Sequence, residues 1–303
     1  VSRDGWEPDW ATLYPSLERF SGDVGLPADR LVRSYLIERA FHHAILAEPS
    51  FERRRAMYDE VYTRVFEIYG FTFTIDKDAT TTPKDATVEM LRPELAGRSI
   101  LDVGCGTGQF LLSCAAKVRP RRLVGLDVFA ADMEVPEKKL SFMRRDVIRF
   151  DLPERFEVAV TDNVMEHIAP QDVPDHLASI HRALEEGGTL VVFTPHRYFG
   201  PWDVTRIRDD NYAGWIEAEG THLKEYTYAE LAAALTEAGF TDLRTIHPRA
   251  RLGQRPAHAR MRLDVLLRGE RKARLVRRLQ AMDKRFRYPA FEIAIIARRA
   301  PAA

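Results

Sequence analysis

Ile100 to Val103 is an apolar run that ends on a glycine-rich turn, Gly104-Cys105-Gly106-Thr107-Gly108. An apolar, helix-like segment, Phe110 to Ala116, follows directly. Strand, tight turn and helix in that order let bare backbone approach a ligand beside a helix N-terminus. The spacing is Gly-x-Gly-x-Gly, with Asp102 two residues before the first glycine. The dinucleotide fingerprint Gly-x-Gly-x-x-Gly needs a glycine at position 109, where Gln109 stands. A nicotinamide dehydrogenase is disfavoured by that residue.

Alternation along the chain fixes the fold class. Strands are predicted at Ser99–Val103, Leu123–Asp127, Leu140–Arg144, Phe156–Thr161, Thr189–Thr194, Leu243–Ile246 and Phe291–Ala297. A helix near Val173–Leu184 carries Leu177, Ile180 and Leu184 on one face, and Gly187-Gly188 is read as its stop. Thr227-Tyr228-Ala229-Glu230 is a capping box, opening a helix that stops at Gly239. The connection from Asp127 to the third strand leaves room for about one helical turn. Repeated strand–helix units imply a mainly parallel sheet covered on both faces.

The rest of the chain is read as appendages. Residues 1–80 form a helical N-terminal cap, with stripes at Leu31, Tyr35, Leu36, Ala40, Phe41, Ala44 and Ile45, and again from Met57 to Tyr69. Ala79 to Pro83 is the linker into a core spanning 81–303. Residues 201–226 read as an acceptor lid with Trp202, Tyr212 and Trp215, and 248–289 as a basic helical insert. Forty-five basic and forty-five acidic residues cancel, so no global field recruits nucleic acid, and no run is long enough to span a membrane. No charged start with an apolar stretch behind it is visible, and the two cysteines, Cys105 and Cys114, suit packing in a reducing cytoplasm. A homodimer contact is one reading of the basic insert.

Asp102-x-Gly104-x-Gly106-x-Gly108 resembles motif I of the class I S-adenosylmethionine (SAM) methyltransferases, and the ordered acids downstream extend the likeness over roughly residues 85–245. The resemblance implies a Rossmann-like, doubly wound seven-stranded sheet with its last strand antiparallel, and SAM as cofactor. Asp102, Gly104, Gly106, Gly108, Asp127, Asp146, Val147, Asp162 and Asn163 are the cofactor-binding candidates. Asp127 ends the second strand, where an ionised carboxylate suits the ribose diol. Asp146 and Val147 follow the third strand, where this class commonly places an acid against the adenine amino group. Asp162 and Asn163 end the fourth, where the ligand crevice of such a sheet opens.

On the acceptor side, Asn163-Val164-Met165-Glu166-His167-Ile168 resembles the strand-end box of ubiquinone-biosynthesis type O-methyltransferases. Thr194-Pro195-His196-Arg197 stands where that group often carries a Thr-x-Asn-Arg-like stretch, and His222-Leu223-Lys224-Glu225-Tyr226-Thr227 precedes the capped helix, where it often has a histidine. His167 and His222 are the catalytic candidates, since histidine titrates near working pH. Small-RNA 2′-O-methyltransferases share the plan and hold a divalent metal there. Glu166, His167 and His222 would be the ligands of such an ion (Mg or Mn), with Asn163 replacing one glutamate. The expected reaction is methyl transfer to a hydroxyl oxygen of a small-molecule acceptor: a sugar, natural-product scaffold or phenol. The alternatives are RNA 2′-O-methylation, N- or C-methylation, and a catalytically silent SAM-binding partner of another methyltransferase.

Overall fold

The computed structural model describes residues 10–71, 74–129, 132–209, 216–246, 258–270 and 292–301. Their contacts divide into two compact units: the described residues of Val1–Phe71 with Arg197–Glu225, and those of Thr72–His196 with Tyr226–Ala303.

The first unit is helical, with α1 (Trp10–Leu13), α2 (Leu17–Val24), α3 (Ala28–Ala47) and α4 (Phe51–Tyr69). Ser50 caps α4 by accepting from Arg53 N, and Gly25 and Gly70 close α2 and α4 in the left-handed conformation that favours glycine. Segment 197–225 is part of this unit rather than a free loop. Val204 and Ile207 pack with Leu17, Leu31, Val32 and Tyr35, and Ser16 N donates to Ile207 O at 3.0 Å. The stripe on α3 differs from the sequence expectation, because Leu36, Ala40 and Ala44 are exposed. Ser34, Glu38 and His42 are buried alongside Leu31, Tyr35 and Ile45: Gly220 O pairs with His42, Thr221 N donates to Glu38, and Ser34 Oγ donates to Glu38 as well. Tyr212 and Trp215 lie outside the described residues.

The second unit begins with the short helices α5 (Asp85–Met90) and α6 (Arg92–Leu95). It continues through β1 (Ser99–Val103), α7 (Gln109–Lys117), β2 (Arg122–Asp127), β3 (Met133–Val135) and β4 (Leu140–Arg144). Next come β5 (Phe156–Asp162), α8 (Val173–Ala183), β6 (Leu184–Pro195), α9 (Tyr228–Glu237) and β7 (Phe240–Ile246). The last described elements are β8 (Arg260–Arg262), α10 (Leu263–Glu270) and β9 (Glu292–Arg299). They build one sheet in the order β3-β4-β2-β1-β5-β6-β9-β7-β8. Strands β4 to β6 are mutually parallel, and β9 runs antiparallel to both β6 and β7. Leu111, Phe142, Val158, Val160 and Phe193 fill the core, each such side chain stabilising the fold by about 1.5–3 kcal/mol.

Three expectations are corrected here. Among the described residues the sheet has nine strands, the expected seven with β3 and β8 added at its two edges. The link from Asp127 to β4 carries, beside the single turn expected there (the 3₁₀ turn Pro136–Lys138), a strand that was not: β3 pairs antiparallel with β4. Helix α8 ends at Ala183, before the glycine pair, and Gly187 (φ +69°) instead lies within β6, where the pairing with β5 shifts register. Of the insert, residues 258–270 contribute β8 and α10, while 248–257 and 271–289 lie outside the described residues.

Candidate active site

The crossing from β1 to α7 is shaped by its glycines. Gly104, Gly106 and Gly108 all have positive φ. A Cβ on Gly104 would lie 2.3 Å from Val164 Cγ2, and one on Gly108 2.5 Å from Phe142 Cζ. Any side chain at those two positions would push the turn away from the core. Gly106 differs, since a Cβ there would meet nothing within 4 Å. Its N–H donates to Asp127 Oδ2 at 3.0 Å, and Asp127 Oδ1 accepts from Phe129 N at 2.9 Å. Asp127 therefore fixes the glycine turn and its own loop together, with lone pairs left for a diol. Burial raises its carboxyl pKa.

Asp102 is buried, and its Oδ1 has no hydrogen-bond partner. Burial, and then the charge of Asp162, hold its pKa well above the carboxylate range. Lys84, just before α5, bonds Asp162 Oδ2 at 2.7 Å. Lys84 thus neutralises Asp162, while the raised pKa of Asp102 favours its uncharged form. Asn163, at φ +57°, turns the chain out of β5 and donates from Nδ2 to Asp162 Oδ1. Asp146 Oδ1 accepts from Ile148 N and Arg149 N, which folds the loop after β4 into an Asx turn. Val147 O accepts from His176 Nδ1 at 2.7 Å. Cys105 and Cys114 are buried, and desolvation raises both thiols well above normal, which disfavours the reactive thiolate.

Glu166 and His167 lie on the 3₁₀ turn Met165–His167 beyond β5. Glu166 is buried, and its Oε2 accepts from Thr194 Oγ1 at the end of β6 at 2.9 Å. His167 is half-buried. His222 belongs to the helical unit. Its Nδ1 lies 2.9 Å from Glu225 Oε1, and its N–H donates to Asp203 Oδ2. Glu225 Oε1 also accepts from Trp202 N at 2.6 Å.

Lys84 stands outside the residues expected from sequence, and Thr194 and Glu225 entered only within their stretches, without roles of their own. A glutamate three residues after a histidine was the visible signal for Glu225. Nothing local marked Lys84, whose partner is seventy-eight positions away.

A glycine turn opening a helix, an acid at the end of β2 and acids at the ends of β1 and β5 define the class: this is a Rossmann-like class I SAM methyltransferase fold. Residues 75–245 match the family described as "Methyltransferase domain", and the chain belongs to it. It is similar to the ubiquinone biosynthesis O-methyltransferase of Pseudomonas syringae pv. tomato, 32% identical over 115 residues, covering 35% of this chain and 48% of that protein. The mitochondrial ubiquinone biosynthesis O-methyltransferase of Candida albicans is 28% identical over 221 residues, covering 67% and 63%. The demethylmenaquinone methyltransferase of Symbiobacterium thermophilum is 28% identical over 165 residues, covering 48% and 64%. The chain thus spans between about half and two thirds of the length of these relatives.

The residues present fit SAM. The positive-φ glycines hold the turn tight against the start of α7, their own N–H groups taken by Leu126 O, Asp127 Oδ2 and Cys105 O, while Asp127 offers acceptors for a diol and Asp102 Oδ1 is buried without a partner. Asp127→Ala is expected to weaken S-adenosylhomocysteine binding by about 1–3 kcal/mol, the cost of leaving polar groups unmatched. Calorimetric titration of the two proteins checks this, and equal affinities would remove Asp127 from the cofactor site.

Proposed function

We propose that this chain is a SAM-dependent methyltransferase acting on a hydroxyl oxygen of a small molecule. SAM supplies an electrophilic methyl group on a sulfonium. The chain's own task is to hold the acceptor in line with that methyl, exclude water and take the hydroxyl proton. The observation that carries the oxygen reading is the His222–Glu225 pair. A carboxylate accepts but does not donate, so it holds the proton on Nδ1 and leaves Nε2 as a base. His167, beyond β5, is the second candidate base. Similarity to the quinone-pathway O-methyltransferases supports a phenol-like acceptor within this class.

The test is transfer of labelled methyl from SAM to a panel of catechols, prenylated phenols, sugars and RNA, with the product's methylated atom read by mass spectrometry and NMR. Methylated phenol or sugar oxygen is expected. Label only on nitrogen or carbon, or only on RNA with steep salt dependence, would overturn the reading. Parallel assays with a chelator decide the metal question. Turnover that survives chelation leaves the histidines as bases, and turnover that is lost assigns Glu166, His167 and His222 to a divalent ion. No helix among the described residues is long and apolar enough to cross a membrane.

A further inference from the structure

Segment 197–225 leaves the methyltransferase core after His196, at the end of β6, and rejoins it at Tyr226, just before α9. These two residues pair with each other in an isolated parallel bridge. The start of α9 is already capped from its own sequence. Thr227 N donates to Glu230 Oε2 at 2.9 Å, and Glu230 N donates to Thr227 Oγ1 at 3.2 Å.

A further acid arrives from far along the chain. Glu270, the last residue of α10, is buried, and its Oε1 accepts from Tyr228 N at 2.5 Å and its Oε2 from Ala229 N at 3.1 Å. The same Oε1 lies 3.2 Å from His196 Nε2, on a ring that is itself buried and packed edge-on against Tyr228. One carboxylate therefore ties the exit of the segment to its re-entry. Helix α10 is placed to do this because it packs on α9, β7 and β8.

We infer that Glu270 is a positioning residue. It clamps both ends of segment 197–225 to the core by holding His196 and the first turn of α9 on one charged group. This gives the insert before β9 a role in the enzyme: it supplies the clamp. The inference rests on the fold alone and does not depend on which acceptor the enzyme uses. The charge matters as well as the shape, because three N–H groups converge on two oxygens. A helix N-terminus also favours an anion. Glutamine would present one acceptor and one NH₂, leaving at least one of those donors facing another donor.

Amide hydrogen exchange of the full chain, with and without S-adenosylhomocysteine, tests this in E270Q, H196F and T227A. T227A removes the local cap of α9 and leaves Glu270 in place, so it controls for fraying of the helix alone. In E270Q, amides of 197–209 and 216–225 are expected to exchange about tenfold faster, while T227A speeds only 227–237. H196F keeps a ring against Tyr228, removes the donor to Glu270 and leaves α9 capped, so faster exchange in 197–209 is expected there too. It serves as the deciding variant if E270Q does not fold. Affinity for S-adenosylhomocysteine should stay within about twofold of the parent in E270Q and H196F. Equal exchange of the segment in E270Q and T227A would reduce Glu270 to a helix cap and overturn the inference. Unchanged exchange of 197–209 and 216–225 in both E270Q and H196F would do the same.

Discussion

Replacing His222 by alanine is expected to cut turnover by about two to four powers of ten, the span that a positioned acid–base group contributes. Affinity for S-adenosylhomocysteine should not change. The ring is oriented from two sides: Glu225 Oε1 holds Nδ1 at 2.9 Å, and Asp203 Oδ2 holds the backbone N–H. Glu225 is fixed in turn by Trp202 N, and by the absence of a side chain at Gly200, where a Cβ would sit 1.8 Å from Glu225 Oε2. Glu225→Gln keeps an acceptor for the ring and should lose less than Glu225→Ala. Turnover in His222→Ala equal to the parent enzyme would pass the base role to His167. The measurement is single-turnover methyl transfer, compared between the parent chain and the variant.

The helical unit should lose stability as pH rises from 4.5 to about 7, because the Glu38 carboxyl is raised from its ordinary 4.5 to about 7. Burial is the first cause, and the charge of Asp203 is the second. The two carboxyls face each other across Gly220, where a Cβ would lie 2.5 Å from Asp203 Oδ2 and 2.8 Å from Glu38 Oε2. Ser34 Oγ and Thr221 N donate to Glu38 and pull the other way, without prevailing. A carboxyl that binds its proton more tightly when folded stabilises the fold fully below its unfolded pKa. That contribution is lost as pH passes the folded value. The shift corresponds to about 3 kcal/mol at most. Thermal unfolding at pH 5 and pH 7.5 should show the fall in the parent chain and flatten it in Glu38→Gln. Superimposable pH dependences for the two proteins would remove Glu38 as its source.

What the sequence disclosed follows from range. Asp102, the glycines and Gln109 act over one strand–turn–helix crossing, so their spacing alone defined it. Asp127, Asp146 and Asp162 were legible because each ends a strand whose apolar run is readable. Three-residue strands such as β3 and β8 carry no period to detect, and both were missed. The polar stripe on α3 was misread because Glu38 and His42 find their partners near residue 220, about 180 positions away. Lys84 with Asp162, and Glu270 with His196, were hidden for the same reason. Glu225 was within reach of the sequence, and the three-residue spacing from His222 went unused.

The position of β9 bears on how the enzyme is made. It follows β7, α9, β8 and α10 in the chain, yet it lies between β6 and β7 in the sheet. During synthesis, β6 keeps an open edge until residues 292–299 emerge, and β7 has only β8 to pair with. At about 5–20 residues per second, the nascent chain waits several seconds between the end of β7 and the start of β9. A ribosome stalled in that interval holds an adhesive strand edge that a chaperone would have to shield. A premature stop there does more than trim a terminus: it removes the only strand that joins β7 and β8 to β6 among the described residues of the sheet.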